Sequence, residues 1–385
     1  MAPSAQPALV SENTRSRRSF LAAAAGAGVA LAGCSETVPD GAAETSDRAV
    51  TDAPTGTAAG TGGPSGPAGS ARSSEPFVDL YRRLVDSVVV VRGYNEGGRV
   101  GQGSGFVAFD GTVVTNQHVV EGTDRLFVGF TGGESRTGEL LGTDVYADLA
   151  AIEVERPESA TPLRFVDSEP PVGTRVAAVG APFGFGESVS SGIISGVDRS
   201  LPSRTGFSIP DAVQTNAAVN PGNSGGPLAT LDGRVAGVIT RGGGENIAFG
   251  ISAAYTRRVV PALVEDGEYD HPFMGVGLLD VAPELARANG FDRSTGVYVS
   301  SVVDGGPADG TLRGSTGRTS ALGVTDVPTG GDLIVGLDGR RIRSLSGLST
   351  YLALETSPGD LLGVTVVRGG ERRNLGFELG ERPEP

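Results

Sequence analysis

A serine flanked by glycines is the strongest chemical signal in this sequence of 385 residues. Ser224 lies in the run Asn-Pro-Gly-Asn-Ser-Gly-Gly-Pro-Leu, between Gly222 and the pair 225–226. Glycine lets the backbone adopt a positive φ and lets another segment approach closely. Such a turn can present a nucleophilic hydroxyl and point backbone N–H groups at one place, which an oxyanion hole requires. A glycine-rich hairpin without chemistry is an equal alternative until a base and an acid are found.

A general base is available from only two histidines, His118 and His271. His118 follows the strand-like run 112–114, and imidazole titrates near neutral pH, as a general base should. Asp148 directly precedes an apolar run and is the candidate carboxylate that orients the imidazole. Asp144 is a weaker alternative because it precedes that run by several more residues. We interpret His271 as a junction residue rather than as a second base.

The candidate triad occurs in the chain order His118, Asp148, Ser224. This is the order of chymotrypsin, and it differs from those of subtilisin and the α/β-hydrolases. Short Val- and Ile-rich segments, separated by Gly, Pro and Asp, predict a mainly β fold rather than alternating strands and helices. We expect one barrel over about 88–154 and a second over about 172–251, with the active site in the cleft between them.

Five segments together resemble the HtrA (Deg) family of serine proteases: Gly103–Val107, Thr115–Val120, Asp148–Ala150, Gly180–Gly184 and Gln214–Leu228. The resemblance extends over about 75–380. It implies a chymotrypsin-like double β-barrel followed by an α+β PDZ domain, and a serine endopeptidase acting on unfolded or misfolded protein. Asn216 departs from the family, which usually has Asp there, but this position lies outside the triad.

The expected oxyanion hole consists of the backbone N–H groups of Gly222 and Ser224, with Asn223 as a further donor. The protease domain is assigned to 75–268. It begins with an amphipathic helix, in which apolar residues recur at helical spacing over 75–86. In related proteases such a segment supports trimer contacts, so the resemblance implies a homotrimer.

The resemblance assigns residues 269–381 to the PDZ domain. Met274, Gly275 and Val276 occupy its carboxylate-binding loop, whose N–H groups would hold a peptide C-terminus. The strand that contains Leu278 would pair with that peptide. A helix-like run over 253–265 precedes this domain. Three leucines are assigned to the helix that flanks the peptide groove, with plain core packing as the alternative: Leu345, Leu348 and Leu352. The stretch 312–327 is longer than in the family and is predicted to be a surface insertion.

The first 34 residues are predicted to be an export signal rather than part of the fold. Residues 16–21 match the twin-arginine pattern, and the apolar stretch 20–33 is too short to span a bilayer comfortably. It ends in Leu-Ala-Gly-Cys, which resembles a lipobox, so we expect lipidation of Cys34 and anchoring to the outer face of the cytoplasmic membrane. A thiol without function is the alternative. Residues 35–74 are rich in Gly, Ala, Ser, Thr and Pro and are predicted to form a disordered tether.

The formal net charge is −14, and the sequence contains no lysine. An acidic surface opposes nucleic-acid binding and basic attachment to anionic lipids. The same composition suits high salt, so we expect a halophilic and archaeal source, with codon bias as the alternative explanation. Two histidines and one cysteine are too few for a zinc site, and no phosphate-binding loop motif occurs, so no metal or cofactor is expected.

Two alternative functions are compatible with the same sequence features. A tethered pseudoprotease or chaperone would capture peptide C-termini with the PDZ domain but would have no need of a complete triad. A dedicated signalling protease that cuts one membrane partner would share the chemistry, and the sequence does not separate it from general quality control.

Overall fold

The computed structural model describes residues 75–181, 188–203, 205–244 and 246–384. The predicted export signal, Cys34 and the tether lie outside the described residues. The first described element is helix α1 (Pro76–Leu84), which the sequence predicts, and it begins with proline at the N-terminal position where helices tolerate it. None of the described helices is long and apolar enough to cross a membrane.

The first barrel is closed and follows the order β1-β2-β3-β6-β5-β4. Its strands are β1 (Val88–Asn95), β2 (Gly98–Ala108), β3 (Thr112–Thr115), β4 (Arg125–Gly129), β5 (Ser135–Asp144) and β6 (Leu149–Glu153). Single 3-10 turns at Val85–Ser87 and Phe109–Gly111 precede β1 and β3, and the one-turn helix α2 (Gln117–Val120) follows β3. The end of β3 therefore places the candidate base.

Alternate residues of these strands face two different apolar clusters, because side chains along a strand alternate between its two faces. Val89 and Val91 pack inside the barrel with Ile152. Val88 and Phe106, which are paired across β1 and β2, instead belong to a cluster shared with α1 and the second barrel. Full burial of each such side chain contributes roughly 1.5–3 kcal/mol. The shared cluster fixes the two barrels against each other.

The second barrel is also closed, with the order β10-β11-β12-β9-β8-β7. Its strands are β7 (Arg175–Gly180), β8 (Ser188–Pro202), β9 (Ser208–Thr215), β10 (Pro227–Thr230), β11 (Val235–Gly244) and β12 (Ile247–Ser252). Helix α3 (Ala253–Glu265) follows, as the sequence predicts, and the Ser252 hydroxyl caps it by accepting the N–H of Tyr255 at 3.0 Å. The double barrel predicted from the sequence is confirmed.

The domain after α3, which the resemblance assigns to the PDZ type and which is called the PDZ domain below, contains antiparallel strands and two helices. They are β13 (Pro272–Phe273), β14 (Val276–Asp280), α4 (Pro283–Asn289), β15 (Val297–Val302), β16 (Gly317–Ala321), β17 (Val324–Thr329), β18 (Leu333–Leu337), β19 (Arg340–Arg341), α5 (Leu345–Glu355), β20 (Leu361–Arg368), β21 (Glu371–Glu378) and β22 (Gly380–Glu381). The main sheet runs β14-β15-β18-β20-β21, with β19 beside β18. Within it, β14 is an outer strand.

The stretch 312–327 is only partly the surface insertion that the sequence predicts. Strands β16 and β17 form an exposed hairpin, but both ends of the stretch are buried. Leu312 packs in the main PDZ core, and Val327 packs against α4. Apolar side chains at both ends therefore attach the hairpin to the domain. The length of the stretch, from which the insertion was predicted, carries no information about these contacts.

Helix α5 joins the two domains by packing against β8 and β9 of the second barrel. From α3, the Arg258 guanidinium donates to the Leu354 carbonyl at 3.0 Å and to the Ser357 hydroxyl at 3.0 Å. The Ser346 hydroxyl donates to the backbone carbonyl of Asp198. These polar contacts fix the PDZ helix on the protease domain beside the β8–β9 hairpin.

Candidate active site

The candidate base and acid are in direct contact at the end of the first barrel. His118 Nδ1 lies 2.8 Å from Asp148 Oδ1 and 3.0 Å from Oδ2, and the backbone N–H of His118 donates to Oδ1 at 3.2 Å. Asp148 has a φ of 54°, a conformation that aspartate tolerates better than most residues. The amide of Asn116 donates to the Asp148 carbonyl at 2.9 Å and holds this backbone. The Asp148 side chain is only 14% exposed, so it can orient the imidazole.

Asp144, the alternative acid, is paired with a different histidine. Its Oδ2 lies 2.5 Å from Nε2 of His271, and both side chains are buried. His271 is thus placed at the junction between the domains, where the sequence analysis expects it, and outside the lining of the cavity that contains Ser224. Of the two aspartates considered, Asp148 is the one that faces the candidate base.

The turn that carries Ser224 requires its glycines for packing as well as for backbone conformation. Gly222 and Gly225 have φ values of 101° and 87°, which favour glycine. A Cβ at Gly225 would lie 2.1 Å from the Ser104 carbonyl oxygen. Ser104 in β2 donates its N–H to the Ser224 carbonyl at 2.8 Å and its hydroxyl to the Gly222 carbonyl at 2.6 Å. The first barrel therefore holds the serine turn of the second.

Thr240 joins the candidate nucleophile to the candidate acid. Its hydroxyl donates to Asp148 Oδ2 at 2.6 Å, and its carbonyl accepts the Ser224 hydroxyl at 2.8 Å. Among the described residues, Ser224 makes no hydrogen bond to His118, so its hydroxyl is turned towards Thr240 in this structure. Sequence reasoning missed Thr240 because a threonine in an apolar strand gives no signal of what lies opposite its hydroxyl.

Two of the three expected oxyanion donors are free. The N–H groups of Gly222 and Ser224 have no hydrogen-bond partner within the described part of the chain. The N–H of Asn223 instead donates to the Asn220 carbonyl at 3.0 Å, closing the turn. Asn223 is therefore unavailable as a donor in this conformation, which leaves the amides of Gly222 and Ser224 as the candidate donors.

A cavity of about 500 Å³ opens beside these groups, with walls from both barrels. Its lining includes the three candidate triad residues and Thr240. Apolar side chains complete the wall: Val145, Ile209, Val219 and Pro221. The space is large enough for part of a peptide, and its wall combines apolar side chains with a few polar groups, as ligand-binding cavities commonly do.

Asn216 stands where the family resemblance predicts Asp, and its side chain makes a hydrogen bond to the backbone. Its Oδ1 accepts the N–H of Ile193 at 2.8 Å, next to the close approach of Gly192. An amide oxygen accepts this bond as a carboxylate would. Asn216 therefore keeps this contact to β8, and it does not line the cavity that contains Ser224.

A second group of acidic side chains has carboxylate oxygens within 4.8 Å of one another: Glu169, Asp198 and Asp211. Among the described residues, this group is close enough together to hold a cation. None of them lines the catalytic cavity. Burial raises the pKa of Asp211 to about 6, with the Ser252 hydroxyl bond acting in the opposite direction. Burial, followed by the charge of Asp211, raises the pKa of Glu169 to about 7. Mutual repulsion thus adds to desolvation in this group.

The proposed carboxylate-binding loop has a glycine in the left-handed region, with φ 70° at Gly275. The Met274 side chain is buried in the PDZ core, so only its backbone is left for a ligand. Leu278 is half-buried on β14, whose free edge faces away from β15. Of the three helix leucines, Leu348 is buried in the core and the other two pack against that core. Core packing, the alternative interpretation, therefore accounts for part of this pattern.

The comparisons with known proteins agree with this architecture. A trypsin-like peptidase domain matches residues 103–238, and a PDZ domain matches 272–379. A probable periplasmic serine endoprotease, DegP-like, from Halomonas elongata is 36% identical over 289 residues, covering 73% of this chain and 57% of the relative. A protein of the same description from Ectopseudomonas mendocina is 35% identical, covering 80% of this chain and 64% of the relative. The chain thus spans about three fifths of these curated relatives.

Solved structures give the same result. The HtrA-type protease AlgW with a tripeptide superposes with a TM-score of 0.64 at 28% identity, covering 80% of this chain and 98% of that one. The serine endoprotease from Yersinia pestis superposes with a TM-score of 0.57 at 25% identity, covering 80% of this chain and 98% of that one.

Fold and domain matches together define a trypsin-like peptidase domain followed by a PDZ domain. The chain belongs to the HtrA (Deg) family of serine proteases, and the resemblance drawn from its sequence motifs is confirmed.

Proposed function

We propose that this protein is a serine endopeptidase that cleaves unfolded or misfolded proteins outside the cytoplasm. The observation that carries the proposal is the Asp148 carboxylate, which binds both His118 and the Thr240 hydroxyl directly beside Ser224. A pseudoprotease would not need this arrangement. The relatives are named as periplasmic serine endoproteases, which supports the same reaction and an exported location.

In the proposed reaction, Ser224 Oγ forms a bond to the scissile carbonyl carbon while its proton moves to His118 Nε2. Asp148 holds the Nδ1–H of His118 and stabilises the imidazolium. The free N–H groups of Gly222 and Ser224 bind the oxyanion. The C–N bond then breaks, and the leaving amine takes the proton from Nε2. Water repeats the sequence, releasing the carboxylic acid and restoring the serine.

The hydroxyl of Ser224 donates to the Thr240 carbonyl in this structure, so the reaction requires it to turn towards His118. Rotation about the Cα–Cβ bond is the motion by which a serine hydroxyl passes from one staggered position to another. Substrate in the cavity would favour the turned state by placing its carbonyl against the free amides of Gly222 and Ser224. The proposed enzyme is thus built around a serine that is engaged elsewhere at rest.

The test compares the wild-type protein with Ser224→Ala on an unfolded protein in high salt, together with fluorophosphonate labelling. We expect cleavage and labelling by the wild type and neither by the variant. Absence of both in the wild type would leave the binding module as the function, and equal cleavage by the variant would indicate another nucleophile.

We also propose that residues 1–34 direct export by the twin-arginine pathway and that a lipid on Cys34 anchors the protein to the membrane through the tether 35–74. The support is the sequence pattern alone. Cys34→Ser should release the protein from membranes into the soluble fraction, and unchanged retention would refute the anchor. The homotrimer implied by the family resemblance is tested by the mass of the detergent-solubilised protein.

The PDZ domain is proposed to bind peptide C-termini at the loop of Met274, Gly275 and Val276, with the peptide as an added strand on β14. The support is the outer position of β14 and the left-handed Gly275. Binding of peptides with a free C-terminal carboxylate, and loss of binding when that carboxylate is amidated, is the expected result. Equal affinity for both forms would refute this mode of recognition.

A further inference from the structure

The turn that carries the proposed triad acid is organised by Asp144. We call residues 144–148, which connect β5 to β6, the triad-acid turn. Asp144 Oδ1 accepts the N–H of Tyr146 at 2.7 Å and that of Ala147 at 2.8 Å. These two bonds close the turn one residue before Asp148. A group that holds Asp144 or Tyr146 therefore restrains the backbone next to Asp148.

The segment that links the two domains contacts this turn through His271. His271 Nε2 lies 2.5 Å from Asp144 Oδ2, and the two side chains are 4% and 3% exposed. The His271 ring also packs edge-to-face on Tyr146, with centroids 5.2 Å apart. Removing one partner of a buried pair leaves the other without compensation, so this contact is expected to hold the turn firmly.

The segment after β22 also reaches the triad-acid turn. The Arg382 guanidinium lies over the Tyr146 ring at 4.9 Å and over the Phe207 ring at 4.6 Å. The Arg382 backbone N–H donates to the His271 carbonyl at 2.9 Å, and the Tyr146 hydroxyl donates to the Pro383 carbonyl. Phe207 lies in the β8–β9 turn, so one cation connects the triad-acid turn to the second barrel.

The buried position of the Arg382 guanidinium is energetically unfavourable. Its Nε and Nη1 atoms are buried and have no hydrogen-bond partner in the described part of the protein. Burial lowers the pKa of Arg382. Two aromatic faces offset part of this cost by attraction to the cation. A guanidinium kept in such a position contributes little as a surface charge, and it contacts the rings of Phe207 and Tyr146 directly.

We infer that Arg382 is a positioning residue for the reaction, acting through Tyr146 and the triad-acid turn on Asp148. The inference rests on the proposed peptidase function. The PDZ domain and the segment that follows it would then complete the catalytic geometry, because His271 and Arg382 both lie beyond the protease domain. Removing the cation would loosen the turn without removing any group that touches substrate.

The experiment measures kcat and KM on an unfolded protein for the full chain and its variants. The test variants are Arg382→Ala and Tyr146→Phe. The second keeps the aromatic ring beside the guanidinium but loses the hydrogen bond from the Tyr146 hydroxyl to the Pro383 carbonyl. Displacement of a catalytic group by about 1 Å costs up to about 10²-fold. We therefore expect Arg382→Ala to lower kcat by about 10-fold with KM nearly unchanged, Tyr146→Phe to have a smaller effect, and Arg382→Lys to restore part of the loss.

Arg258→Ala is the matched control, since Arg258 also joins the domains: its guanidinium donates to the PDZ helix, to the segment after it and to the Tyr269 hydroxyl, but among the described residues it has no hydrogen bond to the triad-acid turn. It should leave kcat close to that of the wild type. The second readout is the double variant Arg382→Ala with Asp148→Asn. If Arg382 acts through Asp148, the loss caused by Arg382→Ala should shrink towards 1-fold when Asp148→Asn is already present.

Equal losses in Arg382→Ala and Arg258→Ala, or fully additive losses in the double variant, would overturn the inference and leave a role in domain stability alone. Both outcomes require an active wild type and leave the proposed peptidase function intact. A wild type that neither cleaves nor labels would overturn the proposed function and this inference with it.

Discussion

Replacing Thr240 by valine removes one hydroxyl from the catalytic cavity while leaving a β-branched side chain of similar shape. The hydrogen bond from the Thr240 hydroxyl, at 2.6 Å, is the shortest of the contacts to the Asp148 carboxylate. It is made to Oδ2, the carboxylate oxygen that lies farther from His118 Nδ1. Without it, Asp148 Oδ2 keeps only the 3.0 Å contact to the imidazole among the described residues. The carboxylate then has freedom to rotate away from the base.

The magnitude follows from the type of bond that is lost. A hydrogen bond to a charged group contributes about 1.5–3 kcal/mol. If that free energy is lost from the transition state, in which Asp148 faces a positively charged imidazole, the rate falls about 10- to 150-fold. Because the Thr240 hydroxyl binds Asp148 rather than substrate, we expect the loss in kcat with little change in KM.

The assay is steady-state cleavage of an unfolded protein, with the rate of fluorophosphonate labelling of Ser224 as a second measure. Thr256→Val is the matched control. Thr256 is also buried and also loses a hydroxyl bond, at 2.7 Å to the Ser252 carbonyl, but it lies on α3 and does not line the cavity that contains the triad residues. Denaturation of both variants by urea separates a loss of stability from a loss of catalysis.

Unchanged kcat in Thr240→Val would refute the reasoning, because the hydroxyl that binds Asp148 would then be dispensable. An equal fall in Thr256→Val would attribute the effect to the loss of a buried hydroxyl in general. A fall in kcat for Thr240→Val alone, with both proteins folded, is the result that supports the proposed geometry.

Two further predictions concern stability. Burial raises the pKa of Asp211 from 3.8 to about 6, so the folded protein holds this proton more tightly than the unfolded chain does. The free energy of unfolding therefore falls as the pH rises from about 4 through about 6. Asp211→Asn, which keeps an acceptor for Ser252, should therefore gain about 3 kcal/mol over the wild type between about pH 4 and about pH 8 in urea denaturation; parallel curves would contradict this. Gly225→Ala, whose Cβ would meet the Ser104 carbonyl at 2.1 Å, should lose more than about 2 kcal/mol and all cleavage. Gly132→Ala, with a similar φ of 88° but open space, should lose only about 1 kcal/mol; equal losses would show that strain alone decides.

The sequence was informative where a local pattern has one structural meaning. Glycines around Ser224 predicted a turn that other residues would not adopt, and the φ values of Gly222 and Gly225 agree. The strand-like runs predicted a double barrel, and the capped helix over 253–265 has the predicted bounds. These features depend on backbone conformation and on alternation, which neighbouring residues determine.

The sequence was less informative where a side chain has two uses. Asn223 was expected among the oxyanion donors, but its N–H closes the turn onto Asn220. Leu312 was assigned to a surface insertion, but it packs in the PDZ core. In both cases the type of residue allows either role, and only the path of the chain selects one.

By itself, the sequence determined which residues are chemically able to form a triad, their order along the chain and the family to which they belong. The tertiary structure alone decided which groups surround that triad. Thr240 meets Asp148 across 92 residues, His271 meets Asp144 across 127, and Tyr146 meets Pro383 across 237. Contacts this distant depend on barrel closure, strand register and domain packing, because local preferences extend over only a few residues and leave no trace of such partners in the sequence.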